Sequence, residues 1–244
     1  MVCSASTYSL VPLTEDGAFP RFVYVKEKFV PLSPSPPYDF DIANPGIQLQ
    51  TYLNDTLDDC VIAARAHHTI RLTYTPGTPI VNISNQEIYE EYSHEAAGGS
   101  GGIDVQGSLT EWKNFGWRAG GIPDRKIQGF SGPYSVSGAG LTLGDPTNDW
   151  SETQVMNSIY EDIGVQAQLR IPQRIRVDDS STYGPGNLWK DTTRPRFWPH
   201  VILLTGYDSN GPIGITWGKK QAMTWDFLKQ YCLGVFRIVK GPTT

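Results

Sequence analysis

The sequence is poor in cysteine, histidine and charge, and each shortage closes off a class of protein. Only three cysteines occur, Cys3, Cys60 and Cys232. An odd and sparse set cannot build a disulfide framework, and it fits reduced thiols in a cytosolic setting. The four histidines and these cysteines are too scattered for a zinc site, so no metal or other cofactor is called for. Charged residues make up 18% of the chain, with a net charge of −5. That leaves no basic footprint for nucleic acid and no attraction to an anionic membrane. No apolar run approaches the roughly 20 residues of a spanning helix. The opening stretch MVCSASTYSLVPLTEDGAF lacks the basic and apolar regions of a signal peptide, so none is expected.

The sequence is rich in turn formers, with 25 glycines and 18 prolines, and in apolar side chains, at 39%. Its 244 residues suit one compact domain or two lobes sharing a cleft. Residues 1–48 stand apart. They hold seven prolines, including Pro31-Leu-Ser-Pro-Ser-Pro-Pro37, and proline fixes φ and removes a donor, so no regular helix fits there. Phe22–Val25 and Phe29-Val30 suit a short edge strand. The aromatics Phe22, Tyr24, Phe29, Tyr38 and Phe40 call for burial. This stretch reads as an extended arm that wraps the domain or docks on a partner, with the folded domain spanning 49–244.

Within that domain, apolar residues at helical spacing predict a helix over 59–72, with Asp58 and Asp59 as cap candidates and Cys60 in the first turn. Ser84 followed by Glu87 opens a second helix with a capping box. A glycine-rich loop, 98–102, precedes a helix over 107–117. Ser-Glu-Thr-Gln starts another at 151–163. The last third reads as strands at 165–171, 200–207, 213–217 and 235–239, with a short helix at 223–231. Helices before strands make an α+β order, not a βαβ alternation.

The chemistry concentrates at Cys60 and His200. A thiol attacks only as thiolate, and a helix N-terminus favours that anion. An imidazole is the usual base, and His200 opens an apolar strand just after Trp198-Pro199. Tetrahedral intermediates need an oxyanion donor, and Asn54 lies six residues before Cys60. His68 falls on the apolar helix face and reads as a packed, hydrogen-bonded side chain. His67 is expected at the rim or in solvent, and His94 is expected to be exposed. Asp58, Asp59, Glu90 and Glu91 read as solvated caps and faces. The glycine loop lacks the features of a phosphate cradle and suits one wall of a cleft.

These blocks resemble papain-like cysteine peptidases. That family has a Gln six residues before the nucleophile, a Cys opening the central helix, a late His on a strand, and an Asn two residues before Trp-Gly. The matching elements are Asn54, Cys60, His200 and Trp217-Gly218. Ile83-Ser-Asn-Gln86 and Gly101-Gly102 fit the middle of the pattern. Compact papain-like proteins of bacteria and phages are similar to the blocks NDTLDDC, HVILLTGYD, TWG and MTWDF.

The resemblance implies a helical lobe with a central Cys-bearing helix packed on an antiparallel sheet lobe. It implies Cys60, His200 and Asn54 as catalytic groups, with Asp59, Gly101, Gly102, Trp198 and Trp217 lining a cleft for a peptide or protein substrate. Three positions depart from the pattern, and at one of them Val61 stands in place of the Trp common in papain itself. Ile215 stands where the family has its orienting Asn, which leaves Asp208 or Thr216 as candidate replacements. Asp58 stands in place of a Gly and adds a like charge beside the thiol. The resemblance thus carries two readings. One is a peptidase or amidase; the other is a silent papain-like module, such as a phage virion component docked through residues 1–48. The expected location is cytoplasmic or virion.

Overall fold

In the computed structural model, the described residues are 35–96, 102–117, 125–136, 149–172, 188–190 and 197–240. In chain order they form β1 (Tyr38–Asp39), α1 (Phe40–Ala43), α2 (Cys60–Thr73), α3 (Asn85–Glu95), α4 (Val105–Phe115), β2 (Ile127–Val136) and β3 (Asp149–Trp150). Then follow α5 (Glu152–Glu161), β4 (Val165–Pro172), β5 (Phe197–Tyr207), β6 (Pro212–Thr216), β7 (Lys219–Ala222), α6 (Trp225–Tyr231) and β8 (Cys232–Lys240). The strands hydrogen-bond in the order β3-β2-β8-β4-β5-β6-β7, with β1 added alongside β5. Every pairing is antiparallel except β2 with β3. The architecture is α+β.

Helix starts follow the side chains that satisfy free backbone donors. Ser84 and Glu87 close a capping box on α3, and Ser151 and Gln154 close one on α5. Asp104 caps α4 and Thr224 caps α6. The β2 strand at 127–136 is absent from the sequence-based expectation, because Gly129, Gly132 and Pro133 interrupt its pattern. The expected edge strand at 22–30 and most of the glycine loop lie outside the described residues.

Two apolar cores flank the sheet. The first joins α2, α3 and α4 through Ile62, Ala66, Ile70, Ile88, Leu109 and Trp112 and reaches Val201 and Phe236 of the sheet. The second joins α5 and α6 to the sheet through Val155, Ile159, Phe227 and Leu228. Alternation along β5 serves both, with Val201 in the first core and Ile202 and Leu204 in the second.

Helix α2 is the axis of the first core and is buried on all sides from Val61 to Leu72. The expectation was an apolar face with a wet back. Instead its polar residues are covered too, and each finds chemistry of its own. Arg65 lies between the rings of Trp112 and Trp117, at 5.5 and 4.7 Å, and pairs with Glu95 at 2.6 Å and Glu91 at 3.7 Å. Glu91 is therefore buried, not solvated. His68 sits 3.2 Å from the Asp162 carbonyl. His67 is also buried, against the Tyr52 ring at 4.8 Å, which corrects its expected place at the rim. Burial pushes His67 down to about 3 and His68 down to about 4, so both stay neutral at physiological pH.

Within the stretch expected as an arm, residues 38–43 are built onto the sheet and α2. Tyr38 and Asp39 pair with Tyr207 and Gly206. The Tyr38 carbonyl lies 2.7 Å from where a Gly206 Cβ would stand, so only glycine admits this close pairing. Asp41 pairs with buried Arg71 at 2.7 Å, and Lys220 bridges Asp39 at 2.8 Å and also reaches Asp41.

Candidate active site

The loop 50–59 leads into Cys60, the backbone of Val201 in β5 bonds to Cys60, and the turn after β6 closes on Thr51 of the same loop. The loop is tightly wound. Asn54 N–H donates to the Thr51 carbonyl, and Thr56 and Leu57 N–H both donate to that of Leu53. Tyr52 and Leu53 adopt left-handed φ of 54° and 66°, costing about 1–2 kcal/mol each. The buried Tyr52 ring holds that conformation. Opposite lies a second left-handed pair, Trp217 at φ 46° and Gly218 at 71°. A Cβ on Gly218 would fall 2.9 Å from Thr51 N. The glycine is what lets this turn close onto the loop that leads to Asn54 and Cys60.

Cys60 is the first residue of α2 and is partly exposed. Burial pushes its thiol up to about 11. The backbone of Val201, the residue after His200, bonds to it and pulls the other way, while Asp59 and Asp58 push up further. The rise from 9.0 to about 11 is worth about 3 kcal/mol. A helix N-terminus offers an anion only about 0.3–1 kcal/mol. At neutral pH Cys60 is therefore a thiol.

His200 is the fourth residue of β5 and the first of its buried run. Its ring stacks on Trp217, with centroids 4.3 Å apart and planes 12° from parallel. Its Nε2 lies 2.7 Å from Thr216 Oγ1. A hydroxyl thus lies at Nε2 and an indole covers one face of the ring. Thr216 makes this contact, and Ile215 is buried in the sheet one residue earlier. Asp208 is occupied in its own turn, where its Oδ1 accepts from Asn210 N at 2.7 Å and Gly211 N at 3.1 Å. Of the two candidates, Thr216 is the one at hydrogen-bond distance from His200, because β6 carries it past His200 while Asp208 turns the hairpin.

Asn54 does not stand alone either. Its side-chain N–H donates to Asp59 Oδ1 at 3.0 Å. Asp59 occupies the N-cap position of α2 but makes no cap bond. It is completely buried, with Oδ2 unpartnered, which corrects its reading as a solvated cap. Burial pushes its carboxyl up to about 7, against the pull of the Asn54 bond. The remaining cleft candidates are less closely drawn in. Trp198 is half-buried and packs on the second core. Gly102 is exposed, with nothing within 4 Å of a built Cβ. Gly101 lies outside the described residues. Sequence reasoning had no signal for the Val201 contact or the buried state of Asp59, since both depend on tertiary packing around the start of α2.

No family model matches the sequence, and no curated protein is similar to it in sequence. Solved structures are similar to it in shape. Xylellain, a cysteine protease from Xylella fastidiosa, superposes with a TM-score of 0.62 at 12% identity, over 91% of this chain and 92% of that one. The Carica candamarcensis cysteine protease CMS1MS2, in complex with E-64, gives 0.57 at 10% identity, over 84% and 99%. Digestive procathepsin L 3 of Tenebrio molitor larval midgut gives 0.58 at 13% identity, over 90% and 73%. Identities this low speak to architecture, and the architecture is unambiguous: the chain has the papain-like fold.

Proposed function

We propose that this protein is a thiol hydrolase acting on peptide or amide bonds, with Cys60 as nucleophile and His200 as its base. The observation that carries the reading is the pairing of Thr216 and Trp217 around His200. A hydroxyl on Nε2 and an indole on the ring face fix the imidazole in one orientation, as a general base requires. In the first step Cys60 Sγ bonds to the carbonyl carbon and the carbonyl π pair moves to oxygen. The thiol proton passes to His200 Nδ1. Asn54 and the Cys60 backbone N–H hold the oxyanion. His200 then protonates the leaving amine, and water releases the acyl group by the reverse sequence.

A test needs no known substrate. Iodoacetamide at neutral pH labels Cys60 ahead of Cys3 and Cys232, and His200→Ala lowers that rate at least tenfold. Failure of wild-type Cys60 to label selectively would sink the hydrolase reading.

A second reading has its own support. The acidic pair before Cys60 and the raised thiol suit a silent papain-like module that binds a partner, with the part of residues 1–48 that precedes Tyr38 as its docking arm. On that reading Cys60 stays inert and removal of residues 1–34 abolishes partner binding. A phage particle is the setting suggested by the sequence resemblance alone. Among the described residues no helix is long and apolar enough to cross a membrane.

A further inference from the structure

The carboxyl of Asp59 is the least explained group in the molecule. It stands where a helix-capping side chain belongs, yet it caps nothing. It is fully buried, and no cation pairs with it among its charged neighbours. Those neighbours are Asp55 and Asp58 from its own loop, Cys60, and Tyr92 from α3. Asp59 gives up a cap bond and bears the cost of burial, and its one side-chain partner is Asn54.

A carboxylate accepts hydrogen bonds and cannot donate. It therefore dictates which end of the Asn54 amide turns toward it, namely the nitrogen. The amide cannot flip without presenting its own oxygen to the carboxylate. One N–H points at Asp59, and the second is left free in a fixed direction. The backbone turn at Thr51–Leu57 and the left-handed Tyr52-Leu53 pair hold the other end of the same residue. Asn54 is thus clamped from both sides.

We propose that Asp59 is a positioning residue: its carboxylate locks the Asn54 side-chain amide so that the free N–H is aimed at an oxyanion formed on Cys60. This rests on the hydrolase reading above. It goes beyond it in making the residue before the nucleophile the organiser of the oxyanion donor.

The test separates two reagents. Iodoacetamide reacts by displacement: the Cys60 S–C bond forms, C–I breaks, iodide leaves, and the thiol proton goes to solvent, with no oxyanion. A small aldehyde, acetyl-glycinal, adds reversibly. The S–C bond forms, the C=O π pair moves to oxygen, and the thiol proton passes through His200. Its affinity at pH 8 is read as protection of Cys60 from iodoacetamide, in wild type, Asn54→Ala, Asp59→Asn, Asp59→Ser and the Asn54→Ala/Asp59→Ser double variant.

Serine keeps a helix-starting side chain but is too short to reach Asn54. Asparagine keeps an accepting oxygen. Aldehyde affinity is expected to fall about tenfold or more in Asn54→Ala and Asp59→Ser, and less in Asp59→Asn. The double variant loses no more than Asn54→Ala alone. Iodoacetamide still labels Cys60 in every variant, and faster where the carboxylate is gone. An Asp59→Ser protein that binds aldehyde like wild type, or losses that multiply in the double variant, would overturn the proposal. So would a wild-type Cys60 that labels readily but takes no aldehyde. A wild-type Cys60 inert to both reagents fails the hydrolase reading itself. Thermal unfolding of each variant checks folding, and should Asp59→Ser not fold, Asp59→Asn with Asn54→Ala carries the same comparison.

Discussion

The two ends of helix α2 solve the same problem in opposite ways. Both bury charge against the first core. At the C-terminal end, Arg71 is fully buried but faces Asp41 at 2.7 Å, and Lys220 and Asp39 complete a cluster of two cations and two anions. At the N-terminal end, Asp59 is just as buried but has an amide for a partner and two more carboxylates nearby. One end is balanced and the other is not. The difference teaches where this fold holds itself together and where it tolerates cost for the arrangement of a site.

The sharpest way to break the balanced end is to remove one partner. Arg71→Ala leaves Asp41 facing an empty, buried site and is expected to destabilise the fold by about 3–5 kcal/mol. Urea unfolding measures this, and a loss under about 1 kcal/mol would mean the cluster is not a structural clasp. The same logic makes removal of residues 1–43 damaging for folding, since it takes Asp39 and Asp41.

The unbalanced end responds in the other direction. The carboxyl of Asp59 is raised from 3.8 to about 7 in the folded state, so the folded chain binds the extra proton between those values. Stability therefore falls as pH rises from about 4 to about 7, and the full penalty stands above pH 7. Asp59→Asn removes the charge. It should raise stability by about 2–4 kcal/mol above pH 7 and change it little below pH 4. Denaturation curves across pH 4–8 give the answer, and a pH-independent difference would show that the carboxylate is not the cause. A stabilising change at a residue that positions the site is the expected signature of function held at a cost.

A smaller effect sharpens the comparison from the sheet side. Thr216→Val keeps the shape of the side chain and removes the hydroxyl 2.7 Å from His200 Nε2. The iodoacetamide rate of Cys60 is expected to drop about threefold to tenfold, with folding stability nearly unchanged. An unaltered rate would mean that stacking on Trp217 alone orients the ring.

Much of this was legible from local signals. The capping boxes at Ser84 and Ser151 announce α3 and α5, and alternation and apolar runs announce β4 and β5, because these depend on neighbours a few residues away. The site was legible only as a set of residue types. That His200 leans on Thr216 and not Asp208 depends on the β5–β6 register, which pairs Leu203 with Ile215. No local pattern encodes that register. His67 and Glu91 were misjudged for a related reason. Their spacing places them on the polar side of their helices, but Tyr52 and Arg65 arrive from elsewhere to cover them.

The sequence by itself determined the class of the fold and the order of most of its elements, because hydrophobic period and caps are local properties. Tertiary structure alone decided the state of the groups around Cys60 and His200. A carboxyl written beside a cysteine reads as a solvated cap until folding buries it against Asn54. Only then do burial and a single amide partner set its charge, and with it the poise of the thiol beside it.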